Sequence, residues 1–228
     1  IWVKPFGSIS NQNAINNVPG YRTSGGGLAV GVDGNISDNA WLGSVLAYSY
    51  NTINGSSDPA SGSLCINSYQ LGAYGGYALQ DNTDLTYQAD FGINQNRASR
   101  SIGFMNTGAQ ANYTSYTSHI GVGIRKALPV TSQINLFPLL RIDYAAVKAD
   151  AYQESGAAYG LNLNVTPQLY QELLLTAGIK GDFQVTDKVR LTANAGIGYN
   201  TLNKQTQVTA SISGGGDSCV TTGLNFSH

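Results

Sequence analysis

Apolar and polar residues alternate along most of this chain with a period of two. In LTYQADFGIN (85–94), Leu85, Tyr87, Ala89, Phe91 and Ile93 share one side, while Thr86, Gln88, Asp90, Gly92 and Asn94 take the other. Successive side chains of a β-strand project to opposite faces, so the segment reads as a strand with one greasy and one wet face. In GLAVGVD, Leu28, Val30 and Val32 oppose Asp33, and in NSYQLGAYGGYAL, Tyr69, Leu71, Ala73 and Tyr77 oppose Gln70 and Tyr74. Ile120, Val122 and Ile124 oppose His119 and Arg125, and Leu140, Ile142 and Tyr144 oppose Arg141 and Asp143. Leu173, Leu175 and Ile179 oppose Glu172, Lys180 and Asp182, and Leu191, Ile197 and Tyr199 oppose Arg190 and Asn194. The nearest approach to a helical period, TPQLYQELLLTAGI, runs into the alternating AGIKGDF.

Crossings are predicted near 1–12, 24–37, 41–54, 66–81, 84–104, 112–129, 133–152, 167–186 and 189–213, with a further one from about 219 to His228. Their connections alternate in kind. SDNA (37–40), QDNT (80–83), VTS (130–132) and TDK (186–188) are tight polar turns. Between them come the longer QNAINNVPGYRTSG, NGSSDPASGSLC, MNTGAQ, YQESGAAYG and ISGGGDSC. A strand meander gives this order when one end of a barrel carries tight turns and the other carries loops. In outer-membrane barrels those ends are periplasmic and extracellular.

Composition bears on which medium meets the greasy face. Charged residues make up 11% of the 228, against roughly a quarter in a soluble domain. A surface that meets water needs more charge than that. The apolar face is rich in Ala and Gly, which suit lipid tails and fill a close-packed core poorly. Its aromatics (Tyr69, Tyr77, Tyr116, Tyr144, Phe183, Tyr199) fall towards the ends of runs, where interfacial girdles belong. The opposite face is Gly, Ser, Thr, Asn and Gln with a few charges of both signs. These features predict an all-β fold: a transmembrane antiparallel up-and-down β-barrel with lipid against the apolar face. Closure follows, because an open sheet edge in hydrocarbon leaves backbone groups unpaired at several kcal/mol each. Glycines ease the bends of a small barrel, and a ring such as Tyr74 is placed to cover one. No stretch reaches the roughly 20 apolar residues of a membrane helix. A net charge of −1 gives no basic surface for nucleic acid.

With the crossings laid out, the chain resembles the β-domain of bacterial autotransporters (type V secretion) over essentially its whole length. The resemblance rests on Trp2 and Gly7 in IWVKPFGSISNQ, on Gly26, Gly31 and Asp33 in GGGLAVGVDG, and on Gly43, Ala47 and Tyr48 in LGSVLAYSY. It continues through GAYGGYA, LFPLLRIDYAAV and VTASISGGGDSCVTTGLNFS. The resemblance implies a twelve-stranded translocator barrel that delivers an N-terminal passenger to the cell surface, with a helix threading the pore. This chain covers about ten strands, so residues 1–228 are read as one barrel domain lacking the pore helix and the last strands. Strand counting alone also allows a closed ten-stranded barrel. The implied partners are outer-membrane lipids, the barrel-assembly machinery, periplasmic chaperones and the passenger in cis, the barrel acting as a monomer. No cofactor or metal is implied. A stand-alone outer-membrane barrel acting as adhesin or small pore, and a soluble barrel binding a small ligand, are the alternatives.

The candidate pore-lining residues are Asp33, Gln70, Asp90, Asn94, His119, Arg125, Arg141, Asp143, Glu172, Lys180, Asp182 and Arg190. They read either as a ladder that steadies a threading segment or as charge balance that props a narrow barrel open. Catalysis is not expected: His119 and His228 are the two histidines, and neither is placed for acid–base work on a loop or outer wall. Cys65 and Cys219 both fall in predicted long loops on one side of the membrane, where a disulfide is possible. The Asn-X-Ser/Thr triplets and GAYGGY are set aside, the first as chance matches in a chain rich in these residues, the second for want of a strand-to-helix context.

Overall fold

A computed structural model describes residues 1–14, 19–55, 62–186, 189–202, 207–213 and 219–222, with the side chains of 186, 190, 207, 208 and 219–222 outside the described ones. The wall is built from β1 (Trp2–Gln12), β2 (Tyr21–Ser37), β3 (Ala40–Gly55), β4 (Gly62–Ala78), β5 (Thr83–Ile102) and β6 (Thr107–Lys126). The short β7 (Leu128–Pro129) leads into β8 (Ile134–Ala149). Then β9 (Tyr152–Gln153) and β10 (Leu163–Val165) precede β11 (Gln168–Thr186) and β12 (Val189–Asn200), and β13 (Gln207–Ile212) and β14 (Cys219–Thr222) close the order. The long strands pair antiparallel with their sequence neighbours, in the order β1-β2-β3-β4-β5-β6-β8-β11-β12, with β7 beside β8. This is the expected up-and-down meander, curled as part of a barrel wall.

The two faces differ in burial as the alternation requires. Along β5 the even positions from Asp90 to Ile102 are buried or half-buried, and the odd positions from Tyr87 to Ser101 are exposed. Ile197, Leu71 and Phe91 are 80, 60 and 49% exposed, whereas the Asp90 and Asp143 side chains keep 11 and 16%. No large side chain among the described residues is completely buried. Burial of apolar groups is the main driving term for folding in water. A water-soluble sheet would turn these residues inward, so the exposed apolar face is the lipid-facing one.

Local chemistry explains the tight turns. Asp81 and Asn82 between β4 and β5 have φ of 59 and 58°. A two-residue hairpin of the I′ type needs positive φ at both central positions, which Asp and Asn tolerate better than other side chains. At the loop end the strands run further than the sequence pattern suggested. Tyr21–Gly25 and Gly62–Cys65 are strand, so Cys65 lies in the wall of β4, between Thr52 and Arg97, and not in a loop.

The late crossings also differ from the prediction. Segment 189–213 is not one strand: β12 ends at Asn200, and β13 joins a separate sheet of order β14-β13-β10-β9. The described start of the tenth predicted crossing, β14, pairs with β13 there and not with the wall, while 223–228 lie outside the described residues. This small sheet hangs on β6, whose Thr107–Thr114 end projects past its last pairing with β8 at Ser115–Ala149. A bridge between Gln110 and Ser155 and a bond from Asp150 N to Thr114 O (3.0 Å) take up that free edge. The compact packing of the chain sits here, with Ile102, Ala109, Ala111 and Val165 buried and Tyr113 stacked on Tyr152 at 4.4 Å.

Close approach fixes one glycine. A Cβ on Gly31 of β2 would lie 2.3 Å from the indole of Trp2 on β1. Gly31→Val is therefore expected to cost about 1–3 kcal/mol by displacing the ring. Guanidinium unfolding in lipid vesicles measures it, and pairing it with Trp2→Ala should recover part of the loss.

Candidate functional site

The inward face divides into four clusters, each assembled across neighbouring strands. At mid-wall, His119 of β6 stands between two carboxylates. Its Nδ1 lies 2.8 Å from Asp90 Oδ2 on β5, and its Nε2 lies 2.8 Å from Asp143 Oδ1 on β8. Only the doubly protonated ring donates at both nitrogens. Arg141 Nε donates to both oxygens of Asp143 (2.8 and 2.7 Å), while Gln70 Nε2 and Gln88 Nε2 donate to the two oxygens of Asp90 (2.9 and 3.0 Å). With an imidazolium, two cations balance two anions, and two amides satisfy the remaining lone pairs. Register brings these groups together: Asp90 pairs with His119, and Gly121 with Asp143. A Cβ on Gly121 would fall 2.3 Å from both Arg141 and Asp143, so the missing side chain leaves room for the ion pair.

Towards the turn end, Arg125 Nη2 reaches Asp84 Oδ2 at 2.5 Å, and Lys180 Nζ lies 3.2 Å from Asp182 Oδ1. Phe137 of β8 lies between these pairs, with Arg125 Cζ 5.5 Å and Lys180 Nζ 5.4 Å from its ring centroid. A ring face attracts both cations. Thr192 Oγ1 donates to Asp182 at 2.9 Å.

Across the wall, on β1–β4, aromatics replace ions. Trp2 Nε1 donates to Tyr74 Oη (2.7 Å), Tyr74 donates to Asp33 Oδ1 (3.0 Å), and Trp41 meets Tyr74 edge-on at 5.7 Å. The Tyr74 ring also covers Gly43, as expected of it: a Cβ there would be 2.6 Å from the ring.

The fourth cluster lies at the loop-end rim. Arg100 Nε and Nη2 bind the two oxygens of Glu154 at 3.0 and 2.5 Å, Arg100 Nη2 also donates to Leu161 O, and Leu163 N donates to Glu154 Oε2 (3.0 Å). Beside it Asn94 and Asn96 share Ser115 Oγ, all three buried.

Of the twelve residues singled out from sequence, Asp33, Gln70, Asp90, Asn94, His119, Arg125, Arg141, Asp143, Lys180 and Asp182 belong to these clusters. Glu172 stands apart and accepts from Tyr170 Oη (3.2 Å). Arg190 is placed by its backbone opposite Gln184, and its side chain lies outside the described ones. The same holds for Cys219, so the possible Cys65–Cys219 pairing lies outside the described side chains. Sequence reasoning missed Trp2, Trp41, Asp84, Phe137, Arg100 and Glu154. Strand parity was a signal for Asp84 and Arg100, which share the even face of β5 with Asp90.

The described residues contain no cluster of three or more His, Cys, Asp or Glu able to hold a metal ion. The arrangement can enclose a polar, charge-balanced bore, and its carboxylates are occupied by fixed partners.

The family model described as "Autotransporter beta-domain" matches residues 1–226. Among curated proteins, "Outer membrane protein A" of Rickettsia rickettsii is 26% identical over 227 residues, covering 93% of this chain and 10% of that protein. The "Extracellular serine protease" of Serratia marcescens is 25% identical over 215 residues, covering 91% of this chain and 20% of that protein. The chain thus spans a tenth to a fifth of the length of these relatives. Its fold is similar to the translocator domain of the autotransporter NalP from Neisseria meningitidis, with a TM-score of 0.75, 20% identity, and coverage of 91% of this chain and 72% of that one. The transport unit of AIDA-I from Escherichia coli gives a TM-score of 0.58 at 15% identity, covering 97% of this chain and 74% of that one.

Proposed function

The chain belongs to the autotransporter β-domain family and is part of an outer-membrane β-barrel, and from that premise we propose that it walls the pore through which an N-terminal passenger reaches the cell surface. The observation that carries the reading is the sorting of side chains on shared strands. Phe91 faces lipid while its neighbour Asp90 is held by His119, Gln70 and Gln88. A bore whose ions are already paired offers a moving polypeptide hydrogen-bonding groups without a strongly charged trap. Asn94, Asn96, Ser115, Asp90, His119, Arg141 and Asp143 line it in this reading, as do Asp33, Gln70, Arg125, Glu172, Lys180, Asp182 and Arg190.

The reading assigns the domain no reaction chemistry and no cofactor. Its partners are outer-membrane lipid, the passenger in cis, the machinery that inserts barrels and the chaperones that keep the chain soluble on the way. The barrel acts as a monomer, with loops outside the cell and tight turns in the periplasm.

Adding charge to the bore tests the reading in the natural full-length protein. Gln70→Arg with Gln88→Arg places two cations beside Asp90, which already accepts from both amides. Protease treatment of intact cells reports how much of the chain preceding Ile1 is exposed. Delivery is expected to fall roughly tenfold while the amount of assembled barrel stays constant. Unchanged delivery by an assembled double variant overturns the assignment.

A further inference from the structure

Charge is segregated between the two faces of the wall. On the described strands every acidic residue (Asp33, Asp84, Asp90, Asp143, Glu172 and Asp182) lies on the inward face. The outward face carries Arg22, Arg97, Lys126 and Lys148, all cations and all exposed. None of the four makes an ion pair among the described residues, and the nearest acid in sequence to this set at the loop end, Asp150, is half-buried just past β8. Lys126 is at the turn end. The other three are at the loop end.

These three form a level row. Through the pairings Arg22–Asn54, Asn54–Ser63 and Ser63–Ser99, Arg22 registers with Ser99 of β5, and through Tyr116 Lys148 registers with Ile93. The row therefore slips six residues along the strand direction over five strand steps, with Arg97 between. At 3.3 Å per residue and 4.8 Å per step this is a slope of about 40°, which is the tilt of strands in such barrels. The outward aromatics slip in the same sense. From Tyr50, which registers with Gln95, to Tyr199, which registers with Tyr87, they shift eight residues in six steps. Cations and rings thus run parallel to one membrane plane, the cations about 10 Å further from its centre. That is headgroup height.

The middle of the row has a shaped recess. Arg97 lies in a shallow groove of about 490 Å³ with Tyr50, Asn67, Gln95, Asn112 and Thr114. Its Nε donates to Asn112 Oδ1 at 3.3 Å, which holds the guanidinium across the groove and leaves its terminal nitrogens facing outward without a partner among the described residues. Guanidinium and ammonium groups select phosphate, and amides with a phenol select hydroxylated rings, to which they both donate and accept.

We infer that the outward rim formed by Arg22, Arg97 and Lys148 binds the phosphorylated sugar headgroup of an outer-leaflet glycolipid, with Arg97 and its amide groove as the centre of the site. The inference rests on the reading of the apolar face as lipid-facing. A soluble partner is disfavoured by position, since the girdle directly below commits this height to lipid headgroups.

The natural protein in phosphatidylcholine nanodiscs doped with diphosphoryl lipid A tests it, with bound lipid counted by native mass spectrometry. The wild-type barrel is expected to retain lipid A, and Arg22→Gln/Arg97→Gln/Lys148→Gln to bind it about a hundredfold more weakly. Lys126→Gln and a dephosphorylated glycolipid serve as controls: the first should bind as wild type, the second should bind neither protein. Equal lipid A binding by the triple variant, or equal binding of the dephosphorylated lipid, overturns the site. Insertion into undoped phosphatidylcholine discs is read separately. A barrel that inserts but ignores phosphate loses only this inference, whereas one that inserts into no bilayer loses the lipid-facing assignment with it.

Discussion

Ala73→Arg is expected to destabilise the membrane-embedded barrel by about 2–4 kcal/mol, whereas Gln70→Arg, three residues away on the same strand, changes stability by less than about 1 kcal/mol. Ala73 lies outward on β4, midway between Tyr69 and Tyr77, where the girdles put the centre of the bilayer. An arginine there must snorkel past apolar neighbours such as Leu71 or draw water into hydrocarbon. At position 70 the same side chain points inward and meets Asp90, which at present accepts from the Gln70 amide. Reversible guanidinium unfolding in lipid vesicles, followed by tryptophan fluorescence, gives both numbers. Equal costs at the two positions would mean that the faces have been assigned wrongly.

Glu154→Ala should open the loop-end rim and leave the wall intact. Its carboxylate is 9% exposed and accepts from Arg100 Nε, Arg100 Nη2 and Leu163 N. Truncation strands a guanidinium that retains the Leu161 carbonyl and is one-third exposed, so the cost is below that of a fully buried ion. About 1–3 kcal/mol of local stability is at stake, or a rise of roughly 5- to 150-fold in the opened population. Hydrogen exchange of residues 152–165 measures it, and exchange across β3–β4 should stay as in the wild type. Arg100→Ala is expected to have a similar effect, and the double variant little more, because the partners lose the same contact. Unchanged exchange at 152–165 in both single variants would show that the pair does not hold the rim.

The wall could be read from sequence because its physics is local. A period of two reports which medium each side chain meets, and that sorted Leu71 from Gln70 and Phe91 from Asp90 without any knowledge of their neighbours. QDNT announced a turn through the tolerance of Asp81 and Asn82 for positive φ. The rim could not be read this way. β9 and β10 have two and three residues, too few to display a period, and β13 is cut from β12 at a break that the alternation does not mark. Arg100 and Glu154 are 54 positions apart and meet only once β6 has been placed between them. Polarity misled in the same region. The residues around Cys65 look like a loop because water replaces hydrocarbon above the girdle, yet the strand continues with Ser63, Cys65 and Asn67 outward and Leu64 and Ile66 inward, the reverse of the pattern below. The lumenal aromatics failed for a related reason: Trp2 and Trp41 pack on glycines of adjacent strands, a relation set by register and not by either segment's own pattern.

The β5–β6 hairpin runs for twenty residues on each side, Thr83–Lys126 to Ile102–Thr107, without a bulge. Such a ribbon carries a reading frame of two. One residue inserted or deleted midway would exchange the oil-facing and water-facing letters for the rest of the strand, pushing Asp90 or His119 into the membrane. Substitution changes one letter, but a change of length rewrites every letter beyond it. Growth and trimming of this protein are therefore confined to the tips, where no frame exists to be lost.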